Sequence, residues 1–371
     1  MRLNFSERVM KVFQSNDVSY NELKDLMLDT YTGNLVGMTK SEANDKIRSI
    51  SRQIFGLGDS SSKRDRKRAY AKYGRDFFDI IEETLDITVT TGLKENEWFN
   101  YLVNYVNLKD GDENIFYNDS GKDTILSIAL MGKRHHDTIL QRLPQGESYE
   151  VKTDLYGVAV GADIDRFLAG NEDWSRLINA ITKSYILKIQ ELIFAEVQNA
   201  ATKLPVTAGF VDSGALNSTN RTKFNKIAQN VSVANDNADV VIVGTSIGLQ
   251  EINNLIKVDW IASSQKESVA TNFHIGRYGK YLFVEIPQKF KPNQVGVDFY
   301  NDNELYFFAT GSEGDDKLID FVDVGETLID EITERGEANG RIDDIMKYEA
   351  QREFGATARV GKYFGKWTIT E

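Results

Sequence analysis

Gly244-Thr245-Ser246-Ile247-Gly248 is a G-x-S-x-G pentapeptide between an apolar run, Asp239-Val240-Val241-Ile242-Val243, and a helical stretch from Ser246 to Leu255. In a hydrolase elbow that spacing lifts the serine Oγ out of a strand-to-helix turn, where a histidine can take its proton. Asp259 and His274 follow in the chain order that mechanism uses. The surroundings favour another reading. Such an elbow belongs in a parallel sheet of repeated strand–helix units, a pattern the preceding chain lacks, and His274 follows too soon to leave chain for the remaining strands. The expectation is a turn whose glycines relieve crowding, with Thr245 or Ser246 capping the helix. The same segment lacks the G-x-G-x-x-G and Gly-Lys-Ser/Thr patterns of nucleotide sites.

Other chemistry-bearing residues are spaced for less. His135 and His136 are adjacent, whereas a helical zinc pair needs i,i+4 spacing to bring both imidazoles to one face. Asp110, Asp112 and Asn114 imitate the start of a calcium loop, but Ile115 stands where the loop needs glycine, so a turn tip is expected. Glu313 to Asp344 holds 12 acidic residues against Lys317, Arg335 and Arg341, which reads as a solvated face or a salt-bridging subunit contact. No catalytic group, cofactor or metal is expected. The opposite charge is concentrated in Lys63, Arg64, Arg66, Lys67, Arg68, Lys72 and Arg75, with Asp65 the one acid among them. That run is either a solvated helix face or an arm that touches phosphates or an acidic neighbouring subunit.

The elements that carry these residues change character along the chain. Residues 1 to about 90 read as helices: Leu23, Leu26, Met27 and Tyr31 form one stripe, and Lys63 to Leu85 is a second amphipathic helix. Residues 95 to 160 alternate as strands do, at Tyr101, Val103 and Tyr105, at Leu126, Ile128 and Leu130, and at Tyr149, Val151, Thr153 and Leu155. Trp174, Leu177, Ile178, Ile181, Tyr185, Ile189, Leu192 and Ile193 recur at helical spacing over 173–201, with Asn171 or Asp173 as cap and Pro205 past the end. At 1.5 Å per residue this is a rod of about 42 Å. Beyond it come strands at Asp239 to Val243 and Tyr281 to Ile286, and Val295 to Tyr300 with Leu305 to Thr310 reads as a hairpin.

Composition bounds the whole. The 371 residues are 41% hydrophobic and 27% charged, enough for a buried core in two or three domains, and the absence of cysteine excludes disulfides and thiolate sites. A net charge of -12 argues against nucleic-acid binding over the entire surface. The longest apolar run, Ile125 to Met131, is far short of the roughly 18 residues that span a bilayer, and the charged start at Met1 to Arg8 lacks a signal's apolar centre. A soluble chain made in the cytoplasm, with no membrane partner, is expected.

The order of elements carries more than any motif. Trp174 to Ala201, the strand–helix unit Asp239 to Leu255, and the ending Tyr348-Glu-Ala-Gln-Arg-Glu-Phe-Gly-Ala-Thr-Ala-Arg-Val360 together resemble major capsid proteins of tailed bacteriophages with the Hong Kong 97-type fold. The resemblance implies an α+β fold. It places a helical N-terminal arm over 1–94, an E-loop over 95–150, and an axial domain over 236–330. The peripheral domain, with its spine helix at 173–201, would comprise 151–235 and 331–371. It also implies a structural role without catalysis: a homo-oligomer of pentamers and hexamers forming an icosahedral shell around double-stranded DNA, in the virion capsid and synthesised in the host cytoplasm. Portal and possible scaffold or decoration proteins would be partners, and Lys63, Arg64, Arg66, Lys67 and Arg68 would supply inner-face DNA contacts or subunit contacts. The alternatives are an encapsulin-type compartment shell and, in another class, a serine hydrolase using Ser246.

Overall fold

The protein is described from a computed structural model, over residues 7–15, 19–58, 61–109, 111–112, 114–118, 147–162, 174–203, 209–235, 237–255, 269–270, 273–291, 294–310, 317–331, 346–359 and 362–370. Helices α1 (Glu7–Ser15), α2 (Tyr20–Thr32), α3 (Lys40–Phe55), α4 (Lys63–Lys94) and α5 (Glu97–Leu102) come first. Three of them start in the same way. Ser19, Thr39 and Ser62 each accept a hydrogen bond from the backbone N–H three residues on, while Glu22, Glu42 and Asp65 accept one from the cap's own N–H. Gly33 and Gly56 end α2 and α3 at φ 81° and 69°, a conformation that side chains with a Cβ resist.

Strands β1 (Val103–Leu108), β2 (Ile115–Asn118), β3 (Glu147–Glu150) and β4 (Asp154–Ala162) follow, then α6 (Trp174–Lys203). After α6 come β5 (Val211–Ser213), α7 (Arg221–Ala234), β6 (Asp239–Gly244) and α8 (Ser246–Gln250), continued by a 3-10 turn at Glu251–Leu255. The remainder is strand: β7 (Arg277–Tyr278), β8 (Tyr281–Glu285), β9 (Phe290–Lys291), β10 (Gln294–Asp298), β11 (Glu304–Thr310), β12 (Ile319–Glu331), β13 (Met346–Ala358) and β14 (Gly365–Thr368).

Two sheets organise the body. The first has the order β1-β12-β13-β4, built on the long antiparallel pair β12 and β13 with β1 parallel to β12 at one edge. Helix α6 lies across it: Tyr185 donates to the Ala350 carbonyl at 2.5 Å and meets the Phe354 ring edge-on. Helix α4 runs beside α6, and they approach at Gly92, where a Cβ would stand 2.6 Å from Ile186 Cδ1. Helices α1 to α3 share this core through Val9, Leu23, Met27, Ile47 and Ile54, so these helices are packed into the body.

The second sheet has the order β5-β14-β11-β6-β8-β7. It has helices on both faces. Val241, Val243, Tyr306 and Phe308 join the α6 core, whereas Val240, Ile242, Leu305 and Phe307 face α7 with Phe224 and Trp367. That is why β6 and β11 are unbroken apolar runs: a strand buried on both sides has no solvent face to keep polar.

Sequence and structure differ in identifiable places. The 295–310 hairpin does not form. β11 is flanked by β14 and β6, which leaves it no free side, and β10 pairs instead with β9 as a separate exposed ribbon. Tyr101 lies in helix α5, which ends at Leu102, and the strand starts only at Val103. The helix expected to stop at Leu85 continues to Lys94, and the Ser246 to Leu255 helix is split into an α and a 3-10 part. The alternation at 126–130, the His135–His136 pair, and Asn171, Asp173 and Pro205 lie outside the described residues.

Candidate functional site

The basic run opens α4, whose 32 residues make a rod of about 48 Å. Arg64, Arg68 and Lys72 recur every fourth residue, hence about 6 Å apart on one face, and all three are exposed. Ala69 and Tyr73 turn the opposite way onto the core. Arg66 is half-buried and donates to the Ser61 carbonyl at 3.0 Å. Asp65 is committed to the cap, and its hydrogen bonds with Ser62 hold its carboxyl below the ordinary range, with Arg68 and Arg64 adding to the effect. The stripe is thus cationic over two turns with its one local acid occupied. The side chains of Lys63, Lys67 and Arg75 lie outside the described set.

Within the acidic stretch 313–344, two of the described acids are not at the surface. Asp320 and Asp323 on β12 are 0% and 1% exposed and are paired inside the chain, which corrects the expectation of a solvated or intersubunit face for these two residues. Arg352 on β13 donates from Nε to Asp323 Oδ1 at 2.9 Å and from one guanidinium nitrogen to Oδ2 at 2.5 Å. Its other nitrogen reaches Asp86 of α4 at 2.6 Å and Thr327 Oγ1 at 3.0 Å. Tyr105 donates to Asp323 at 2.6 Å, and burial, with Asp323 beside it, pushes its hydroxyl up to about 12. Burial raises the Asp86 carboxyl against the opposing pull of Arg352. Arg359 holds Asp320 at 2.7 Å and 3.1 Å, and Asn104 donates to the same carboxylate at 2.8 Å. These side chains tie α4, β1, β12 and β13 into one unit. The partners lie about 30 residues or more from the acids they neutralise, so no local pattern announces them.

Ser246 does not sit in a catalytic array. Thr245 caps α8 by accepting from Gly248 N–H at 3.4 Å. Gly248 lets the turn approach the Asp302 carbonyl, 2.6 Å from where a Cβ would be. The glycines of the pentapeptide therefore serve close approach, as expected. The buried His274 faces Glu285 at 3.4 Å and the Ile275 carbonyl at 3.2 Å, and Ser246 makes no side-chain hydrogen bond to another described residue. Asp259 lies outside the described residues. β6 is parallel to β8 but antiparallel to β11, unlike the all-parallel neighbourhood of a hydrolase elbow. Among the described residues no group of acidic or histidine side chains could hold a metal ion, and no helix is long and apolar enough to cross a membrane.

The body is held by two sheets and two long helices and tied together inside by the ion pairs of Arg352 with Asp323 and Asp86 and of Arg359 with Asp320. Residues 22–368 match the family described as SPbeta prophage-derived putative capsid protein YonB. The chain belongs to this family: it is a phage-type capsid protein and not an enzyme. No curated protein matches the sequence. Among solved structures it is similar to the asymmetric unit of the bacteriophage PhiM1 mature capsid, at 11% identity over 74% of this chain and 88% of that one, with a TM-score of 0.47. It is also similar to the satellite phage P4 procapsid that includes the size determination protein, at 12% identity over 78% and 90% with a TM-score of 0.46. A virus-like particle from Pyrococcus furiosus aligns at 14% identity over 77% and 98%, with a TM-score of 0.41. The α+β fold expected from the sequence is the fold of the chain.

Proposed function

We propose that the chain is the major subunit of a Hong Kong 97-type icosahedral shell, arranged as pentamers and hexamers around double-stranded DNA. The observation that carries this reading is the family match over nearly the whole length. The architecture supports it. A long helix lies across a sheet of long strands, a second mixed sheet stands beside it, and a segment departs after β2 and returns at β3 across a short two-stranded ribbon. In this reading the chain around β2 and β3 belongs to the E-loop, the sheet β1-β12-β13-β4 with α6 is the peripheral domain, and the sheet β5-β14-β11-β6-β8-β7 is the axial domain. The bounds expected from the sequence (E-loop 95–150, peripheral 151–235 with 331–371, axial 236–330) shift accordingly, because β1 and β12 pair within the first sheet and β5 and β14 within the second. Residues 1–94 are the helical N-terminal arm, of which the described helices α1 to α4 pack into the body.

A loop without a core of its own gains stability by lying on a neighbour, which couples folding to assembly. Contacts of that kind repeat around five-fold and six-fold axes until the surface closes. The exposed stripe of Arg64, Arg68 and Lys72, with Lys63, Arg66 and Lys67, would face the DNA and neutralise phosphates without reading sequence. Portal, scaffold and decoration proteins would act on the same shell, in particles built in the host cytoplasm. The test is nuclease digestion of native particles. Protected double-stranded DNA supports a virion; shells filled with protein cargo and no nucleic acid would instead mean an encapsulin-type compartment.

A further inference from the structure

The segment between β8 and β11 is fixed at its root and exposed at its tip. The Gln288 carboxamide accepts from the Tyr300 N–H at 3.0 Å and donates to the Tyr300 carbonyl and to Asp302, both at 2.9 Å. Lys289 donates to Gln190 of α6, and the Tyr300 ring packs on Phe194 with centroids 4.3 Å apart. Beyond that root the ladder sets Lys291 opposite Gln294 and Phe290 opposite Asp298, so the three residues between Gln294 and Asp298 face no residue of β9. Val295, Gly296 and Val297 therefore bulge outward, on a φ of 90° at Gly296 that a side chain would resist. Val295 is 91% exposed, and Phe290 and Val297 are exposed beside it. A bulge of this kind keeps another strand from adding to the edge, which leaves side-chain packing as the way to cover the tip.

A concave counterpart lies on the first sheet. β12 leaves its ladder between Val324 and Leu328, turning at Gly325 with φ 73°, and an open groove of about 990 Å³ forms there between α4, the end of β1 and β4. Ile87, Leu155, Val324 and Leu328 line it with apolar surface, Leu155 and Leu328 being exposed. No ribbon residue lines it. The groove also carries Lys109 and Glu326, and the ribbon carries Lys291 and Asp298. All four are exposed, and none pairs with an opposite charge among the described residues. We propose that the β9–β10 ribbon of one copy seats in the β12 groove of a second copy, with Val295 and Val297 against Leu155 and Leu328, Lys291 beside Glu326, and Asp298 beside Lys109. Opposite charges then meet at both ends of an apolar contact, which fixes its orientation. The anchored root means that little chain has to be ordered on docking. A knob that fits a groove elsewhere on the same chain makes a head-to-tail contact, the kind that repeats from copy to copy. The inference rests on the shell reading and adds to it one contact with named partners.

The chain has no cysteine, so an introduced pair reports the contact without background. Particles of V295C/L328C, mildly oxidised and run on a denaturing gel, should give a covalent ladder extending past dimers, and V295C or L328C alone should give none. V295D/V297D places two carboxylates in the apolar contact and should lower the assembled fraction at least about tenfold. Its α6 amides should exchange as in wild type, because the ribbon tip lies outside the core; if the variant fails to fold, the cysteine pair decides. K291E and E326K should each reduce assembly, and K291E/E326K should restore it. Wild-type assembly of V295D/V297D, or V295C/L328C particles that remain unlinked, overturns the proposal while the shell reading stands. An unrescued K291E/E326K overturns the pairing of the charges. A wild-type chain that forms no particle strikes the shell reading itself, and this contact with it.

Discussion

Replacing Arg352 with methionine removes a buried cation that the β12–β13 pair shares with α4. Arg352 is 3% exposed and neutralises Asp323, itself 1% exposed, together with the partly covered Asp86. Methionine fills most of the stem's volume, so the dominant effect is two carboxylates left without a counter-charge. Breaking a buried ion pair from one side costs about 3–5 kcal/mol, a large part of the roughly 5–15 kcal/mol that holds a protein folded. Urea unfolding of the unassembled chain, followed through the fluorescence of the buried Trp98 and Trp367, measures it. Restoring neutrality in R352M/D323N should recover part of the loss, because the two side chains are directly coupled.

The pH dependence has a definite sign. Burial already raises the Asp86 carboxyl above its ordinary 3.8, and Arg352 opposes the rise. Without Arg352 it climbs further, so the native state binds the proton more tightly than the unfolded chain does. The deficit of R352M is then widest at neutral pH and narrows as the pH falls towards the ordinary carboxylate range. An R352M protein within about 0.5 kcal/mol of wild type at neutral pH, the range of an ordinary surface substitution, would refute the view that this network binds α4 to the sheet.

Further outcomes follow from other contacts. Glu22 and Glu42 are held below 4.5 and Asp65 below 3.8 by hydrogen bonds to Ser19, Thr39 and Ser62. Their capping is complete above those values and lost as the pH falls through the lowered ones, so first-turn amides of α2, α3 and α4 should exchange faster in acid relative to the core. W367A should lose about 3–5 kcal/mol, since Trp367 is fully buried and its Nε1 donates to the Gly214 carbonyl at 3.0 Å. G92L should cost about 1–3 kcal/mol by forcing α4 away from Ile186, with calorimetry as the check. Neutralising Lys63, Arg64, Arg66, Lys67 and Arg68 together should reduce assembly or retained DNA, and wild-type yields of particles and genomes would contradict that role.

What the sequence made legible was whatever has one buried face. The stripe through Ile178, Ile181, Tyr185, Ile189 and Ile193 located α6 almost to the residue, because a single apolar face leaves a clear period. The alternation of Tyr149, Val151, Thr153 and Leu155 was visible for the same reason, although only Val151 is fully buried and Leu155, on the edge strand β4, is exposed. Where both faces are buried the period vanishes. β11 could therefore be recognised as a strand, but its neighbours could not be assigned, and the hairpin with 295–300 was the wrong pairing. The last turns of α4 were hidden by Thr88, Val89, Thr90, Thr91 and Gly92, residues that disfavour a free helix, but here Thr88 and Val89 are buried in the core and Gly92 meets Ile186 of α6. Asp320 and Asp323 looked like surface charge because Arg352 and Arg359 arrive from a different strand. The basic run was visible as charge, and the structure adds that Arg64, Arg68 and Lys72 share an exposed face.

Electron microscopy of the purified, overexpressed chain tests the central claim most directly. Closed icosahedral particles of one diameter are the predicted result. A protein that stays monomeric at high concentration, with no shell in any field, would contradict it.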